Sequence, residues 1–269
     1  MKKILLLIVA ISAFSAVFAQ DLSEGLKAKN DGNDAYRNKD YVEAIKQWGI
    51  YLKSDEEGIA DDVNTQTLYN NSHRFAATSF LQKKDFQSAY DYYVKYFELV
   101  PEDKSTNGKV IYEMAYCANQ IDKNDEALSL YQTAIDLDYR ADASMLRVAD
   151  IYRKAGDDAK MTAILKDALS KYPQSRDRSK MITMLTLPML KEASLPFNEG
   201  NELAKAASGG DPAEYLANMS KAVQKFEEAL PLFEDILKYD PNNEQAKTYI
   251  NACNDNIKSF NDYKATLKN

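Results

Sequence analysis

The chain has 269 residues, 45% hydrophobic and 28% charged, with only nine glycines and seven prolines. That balance excludes a disordered chain, and so few backbone breakers favour helices over a many-turned β fold. A formal net charge of −7 argues against a reader of nucleic acid or of an anionic membrane surface, because contact with phosphate needs a basic face.

The first element is a leader. Met1-Lys2-Lys3 is basic, and Ile4 to Phe18 is an apolar run relieved only by Ser12 and Ser15. As a helix it would span roughly 22 Å, short of the roughly 30 Å hydrocarbon core. Val17-Phe18-Ala19 puts small residues at both recognition positions, which predicts a secretory signal cleaved after Ala19. The mature chain would then be exported, periplasmic or secreted, with no membrane span. No cysteine follows the run to carry a lipid anchor.

The next stretch, "GNDAYRNKDYVEAIKQW" from Gly32 to Trp48, sets a pattern: an amphipathic segment, a polar break at Asn38-Lys39-Asp40, and a second amphipathic segment. The pattern returns from Phe75 to Pro101, Met114 to Asp138 and Val148 to Pro173, with breaks at Lys83-Lys84-Asp85, Asp122-Lys123-Asn124 and Gly156-Asp157-Asp158. In each second segment a small residue precedes a large one by four: Ala44 and Trp48, Ala89 and Tyr93, Ala127 and Tyr131, with Met161 and Leu165 a looser version and Ala229 and Phe233 a later one. These alanines, with Met161 standing for one of them, lie 45, 38, 34 and 68 residues apart. A period near 34 with this pattern, and with prolines at Pro101, Pro173 and Pro241 after the second helices, resembles the tetratricopeptide repeat.

The resemblance implies an all-α, right-handed α-solenoid of helix-turn-helix repeats. The repeats fall near 25–58, 64–103, 108–141 and 142–175, followed by a divergent, insert-bearing repeat over 176–242 and a capping helix over 243–267. Physically, close helix approach needs small residues at the contact, and a dense interior needs large ones beside them. Gly32, Ala77, Ala115 and Ala149 on first helices are expected to meet Ala44, Ala89 and Ala127 on second helices. Tyr36, Phe80, Tyr152, Trp48 and Tyr93 would fill the flanking space.

Two regions depart from the pattern. The acidic stretch Ser54–Asn64 accounts for the interval of 45 and reads as a solvated loop or a lengthened helix start. Its carboxylates Asp55, Glu57, Asp61 and Asp62 lack the alternate spacing of a calcium loop. In the second region, Met181–Leu195 reads as helix despite Pro188, and Phe197–Ala207 as the first helix of another repeat with Gly200 at the contact. Ser208–Pro212 reads as an enlarged turn and Ala213–Tyr239 as a long helix bent near Leu230 by Pro231. The last helix carries an apolar stripe of Ala246, Tyr249, Ile250, Cys253, Ile257 and Phe260.

Signals of catalysis are sparse, so the chain is read as a non-enzyme without cofactor or metal. His73, the single histidine, is expected to be an exposed polar residue. Nucleophile-elbow and phosphate-loop motifs do not occur. Cys117 and Cys253 are expected to be buried free thiols.

In the resembled family the first helices line an inner wall that binds peptides or proteins. Projected onto this chain, the wall comprises Lys29, Asn33, Tyr36 and Arg37; then Asn71, Arg74, Thr78 and Gln82; then Lys109, Tyr112, Tyr116, Asn119 and Gln120; then Asp150, Arg153 and Lys154; and finally Asn201 and Lys205. A subfamily clamp for a C-terminal carboxylate is matched at Lys29, Asn33 and Lys109 but not at Phe75 or Glu113. The expected partner is a peptide or protein, and the expected role a scaffold in the cell envelope. The rival reading is a glycan or small-molecule receptor, suggested by 18 tyrosines.

Overall fold

The computed structural model describes residues 22–207 and 211–267. The described residues form eleven α-helices: α1 Glu24–Arg37, α2 Tyr41–Tyr51, α3 Val63–Gln82, α4 Phe86–Leu99, α5 Gly108–Gln120, α6 Asn124–Asp136, α7 Ala141–Lys154, α8 Asp158–Lys171, α9 Arg178–Ala207, α10 Pro212–Tyr239 and α11 Glu244–Thr266. The chain divides into two compact units, Met1–Tyr139 and Arg140–Asn269. The leader with its expected cleavage site lies outside the described residues. None of the described helices is long and apolar enough to cross a membrane.

In the first unit, α1 packs on α2, α3 on α4 and α5 on α6. The polar breaks make the turns. Lys39, Lys84 and Asp122 take left-handed φ values of 61°, 61° and 60°, which end each first helix as a C-terminal cap does. The next helix starts at once: Asp40 accepts from the Glu43 amide and Asp85 from the Ser88 amide, both at 3.1 Å. Such caps satisfy amides that a helix start otherwise leaves without partners.

The small residues lie in the helix contacts. Ala44, Ala77, Ala89, Ala115 and Ala127 are all fully buried. Gly32 faces the indole of Trp48: a Cβ at Gly32 would lie 2.5 Å from Trp48 Cδ1. The contact therefore opposes small with large, because an indole needs the volume that a missing side chain leaves. Gly108 repeats the device against Tyr139, with a Cβ at 2.5 Å from the Tyr139 Cβ.

Gly49, in the last turn of α2, is different. A Cβ there would find its nearest neighbour, Tyr69 Cε2, at 3.9 Å. Gly49→Ala is expected to stabilise the first unit by about 0.5–1 kcal/mol, since alanine costs the helix less backbone entropy. Urea unfolding followed by circular dichroism would measure it.

The acidic insert between α2 and α3 folds into a short 3-10 turn, Ile59–Asp61, entered through Gly58 at φ 81°. It ends on Asp62, whose carboxylate caps α3 through the Thr65 amide at 3.1 Å. Among the described residues no three His, Cys, Asp or Glu side chains are grouped to hold a metal ion.

In the second unit, α7 packs on α8, α9 on α8 and α10, and α11 on α10. Gly156 at φ 73° and the Asp157 cap, accepting from the Lys160 amide at 3.0 Å, form the α7–α8 turn. The two separate segments expected over 181–207 are one helix of 30 residues that runs through Pro188 and Pro196. Each proline removes an intrahelical bond. Burial of Met181, Leu185, Ala193, Phe197 and Gly200 along α9 offsets that loss. Helix α10 likewise continues through Pro231 to Tyr239. Asp211 caps it through the amides of Ala213 and Glu214 at 2.8 and 2.9 Å. Residues 208–210 of the expected enlarged turn lie outside the described residues.

The core here gathers Ala193, Phe197, Ala222, Phe226, Ala229, Phe233, Ile236, Ala246 and Cys253. Tyr249 stacks on Phe233 at 4.7 Å and meets Phe197 edge-on at 4.8 Å. Helix α11 thus covers the outer side of α10 with the stripe read from sequence and leaves Asn251, Asn254 and Asp255 exposed. Cys117 and Cys253 are buried free thiols. Burial, with the Glu113 charge nearby, pushes Cys117 up to about 12, and burial pushes Cys253 up to about 11. Neither supplies a thiolate near neutral pH.

Candidate binding surface on the first helices

In the first unit the candidate residues belong to α1, α3 and α5, and the packing beneath them is aromatic. Tyr36 touches Trp48, Tyr41 and Phe75 with ring centroids at 5.5, 5.7 and 6.3 Å. It therefore ties the first helix pair to the second. Asn33 is held by the Trp48 indole, which donates to its Oδ1 at 3.3 Å. Thr78 shares a hydrogen bond with the Tyr93 hydroxyl at 3.3 Å, and that hydroxyl also lies 2.7 Å from Glu113, which accepts from it. These bonds run from α3 through α4 to α5. Gln82 and Gln120 are exposed, and Tyr116 is half-buried against Phe86 at 5.7 Å.

Most candidate cations are already paired. Lys29 bonds Asp62 at 2.7 Å and lies over the Tyr51 ring. The Tyr51 hydroxyl donates to the same carboxylate at 3.0 Å. Partial burial opposes charge on Asp62, but Lys29, Thr65 and Tyr51 outweigh it and hold the carboxyl well below the usual range. Arg37 pairs with Asp34 at 2.8 Å, and Lys109 approaches Glu113 at 4.0 Å. In the second unit Asp150 takes Arg153 at 2.6 Å and Lys154 at 3.2 Å, and Lys205 pairs with Glu202 at 2.6 Å. Asn201 is half-buried.

Two candidates do not reach the surface. Tyr112 is only 8% exposed and packs edge-on against Tyr131 and Tyr139; Asn119 is 6% exposed and donates to Asn124 at 3.3 Å. Both lie on the face of α5 that meets its neighbours, where the helical period turns them inward. Tyrosine more generally serves packing: Tyr51, Tyr90, Tyr93, Tyr96 and Tyr131 are buried as well. Asp62, weighed from sequence only as a calcium ligand, is the cap of α3 and the partner of Lys29 and Tyr51. Its signal was an aspartate three residues before Thr65 at the start of a helix.

His73 corrects a further expectation. It is 3% exposed, not a surface residue, and sits edge-on to Tyr69 at 4.8 Å with Tyr92 at 6.2 Å. Its Nδ1 lies 3.0 Å from the Tyr69 carbonyl. Burial, aided by the Lys95 charge, lowers its pKa. The unfolded chain takes up a proton near pH 6.5 that the folded chain refuses. Stability is therefore expected to be full above that pH and to fall as pH drops below about 6.5. Urea midpoints between pH 8 and 5 should slope for the wild type and flatten in His73→Gln over the histidine range.

The fold is all-α, with helices packed in pairs in the manner of tetratricopeptide repeats. A family model described as a tetratricopeptide repeat matches residues 143–175, which span α7 and α8, so the chain contains at least one such repeat. Among solved structures, the chain is similar to a TPR repeats protein of Bacteroides fragilis at 15% identity, over 87% of this chain and 99% of that one, with a TM-score of 0.44. It is similar to MamA at 14% identity, over 81% and 92%, with a TM-score of 0.36. It is also similar to YrrB, described as a TPR protein with an unusual peptide-binding site, at 14% identity, over 88% and 96%, with a TM-score of 0.35. At these scores the three similarities add no weight to the repeat assignment, which rests on the family match and the helix pairing. No curated protein sequence matches the chain.

Proposed function

We propose that the chain is a non-catalytic scaffold of the cell envelope that holds a peptide or protein partner on the first helices of its pairs. The observation that carries this reading is the tetratricopeptide match over α7 and α8, joined to the same helix pairing in the first unit. Repeats of this kind stack supersecondary units and offer one helix face to partners. Arg74, Gln82, Tyr116 and Gln120 leave donors and a half-buried ring on that face in the first unit, a chemistry suited to an extended backbone. The leader Met1–Ala19 supports export.

Photo-crosslinking in the native cell tests the surface. Benzoylphenylalanine in place of Gln82 or Gln120 should yield a discrete adduct, whereas the same group at Gln132 or Lys95, exposed on second helices, should not. Adducts from the second helices alone would sink the reading. The compartment is tested by mass spectrometry of the envelope fraction, where a chain beginning at Gln20 is expected and an intact Met1 end in the cytosol is not.

A further inference from the structure

We infer that the partner segment held by the first unit carries a carboxylate, and that Arg74 is the residue that receives it. The inference rests on the reading of the first helices as the binding surface. Among the cations of that surface in the first unit, Lys29, Arg37 and Lys109 already face a carboxylate at 2.7, 2.8 and 4.0 Å. Arg74, among the described residues, has none. The polar contact of its side chain is a 3.5 Å approach of one terminal nitrogen to Asn71 Oδ1, at the outer limit of a hydrogen bond.

The side chain is nevertheless held in place. The guanidinium carbon lies 4.9 Å from the centroid of Phe75 and 5.9 Å from that of Tyr96. Two aromatic faces orient the plane without using its N–H groups. Its Nε is buried and has no acceptor. A guanidinium offers five donors in a fixed fork; with Nε turned inward, the terminal nitrogens are the donors that an outside group can reach. The neighbouring acids are engaged elsewhere: Asp103 accepts from the Tyr96 hydroxyl and from Asn107, and Glu113 accepts from Tyr93. A planar acceptor pair from outside fits the fork, and a carboxylate supplies one. The site differs from the five-residue clamp, since Lys29 and Lys109 are tied up and Phe75 and Glu113 stand in two of its places.

The test uses the full chain and a displayed library of random dodecapeptides. Selected peptides are synthesised with each Asp or Glu in turn changed to its amide, and dissociation constants are measured on the wild type, Arg74→Gln, Arg74→Lys and the second-helix control Lys46→Gln. Thermal unfolding of every variant checks the fold, and the peptide-side change probes the pair even if Arg74→Gln is unstable. One acidic residue should recur, its amide should bind at least about tenfold more weakly, and Arg74→Gln should weaken the parent peptide to the same level with no further loss from the amide. Arg74→Lys should recover part of the binding, and Lys46→Gln should behave as wild type. Peptides that bind the wild type and Arg74→Gln alike, with no dependence on an acidic residue, would overturn the inference and leave the scaffold reading standing. Failure to select any peptide, together with no adduct at Gln82 or Gln120, would remove both.

Discussion

Trp48→Ala is expected to lower the unfolding free energy of the first unit by about 3–5 kcal/mol, the range for removing a fully buried large aromatic side chain. Trp48 is completely buried in the α1–α2 contact. Its indole fills the space over Gly32, lies 5.5 Å from Tyr36 and donates to Asn33. Truncation would empty that space, and neither Gly32 nor Ala44 has a side chain long enough to fill it. It would also release Tyr36, whose ring joins the first pair to Phe75 of the second. Trp48 is the single tryptophan, so the loss must be followed by far-ultraviolet circular dichroism in urea. A loss below about 1 kcal/mol would mean that the α1–α2 contact collapses around the gap, contrary to a tightly filled interface.

Gly200→Val is expected to destabilise the second unit by about 3 kcal/mol, the upper end for overpacking. A Cβ at Gly200 would lie 2.8 Å from Phe226 Cε1 and 3.1 Å from the Ala222 carbonyl oxygen. Phe226 is fully buried and packed against Phe197 at 5.7 Å, so its ring has no open side to move into. The carbonyl belongs to the backbone of α10 and yields only if the two long helices separate. Valine adds two methyl groups beyond the Cβ and a stiff χ1. Thermal unfolding of the intact chain should show a lowered transition, and an unchanged one would refute this view of the α9–α10 contact.

The helix pairs were legible because the signal is local. Asn38-Lys39-Asp40 and Lys83-Lys84-Asp85 were legible as polar breaks between helices, and the structure makes each a left-handed residue followed by a capping aspartate. The terminal stripe from Ala246 to Phe260 was legible for the same reason, since one periodicity places all of it on one face of the helix. What the sequence hid depends on partners distant along the chain. The opposition of Gly32 to Trp48 depends on the helix crossing, which periodicity does not specify. The burial of His73, Tyr112 and Asn119 depends on which face each helix turns to the next pair. The continuity of α9 through two prolines reflects tertiary burial overriding local propensity.

The candidate surface was legible only in outline. Its helices and positions follow from the repeat, but not the ion pairs that occupy Lys29, Arg37 and Lys109. The lack of a carboxylate at Arg74 is partly legible, since α3 carries no acid at all; that no acid of another helix pairs with it follows only from the side-chain geometry.

The interlock of small and large residues inside each pair is tested most directly by a double-mutant cycle on Gly32→Ala and Trp48→Leu. Each change is made alone and together, and unfolding free energies are measured in urea. If the indole occupies the space that a Cβ would take, Gly32→Ala should be costly beside tryptophan and nearly free beside leucine, with a coupling of about 1 kcal/mol or more. Additive losses, agreeing within about 0.5 kcal/mol, would show that the two residues do not meet and would contradict the packing described here.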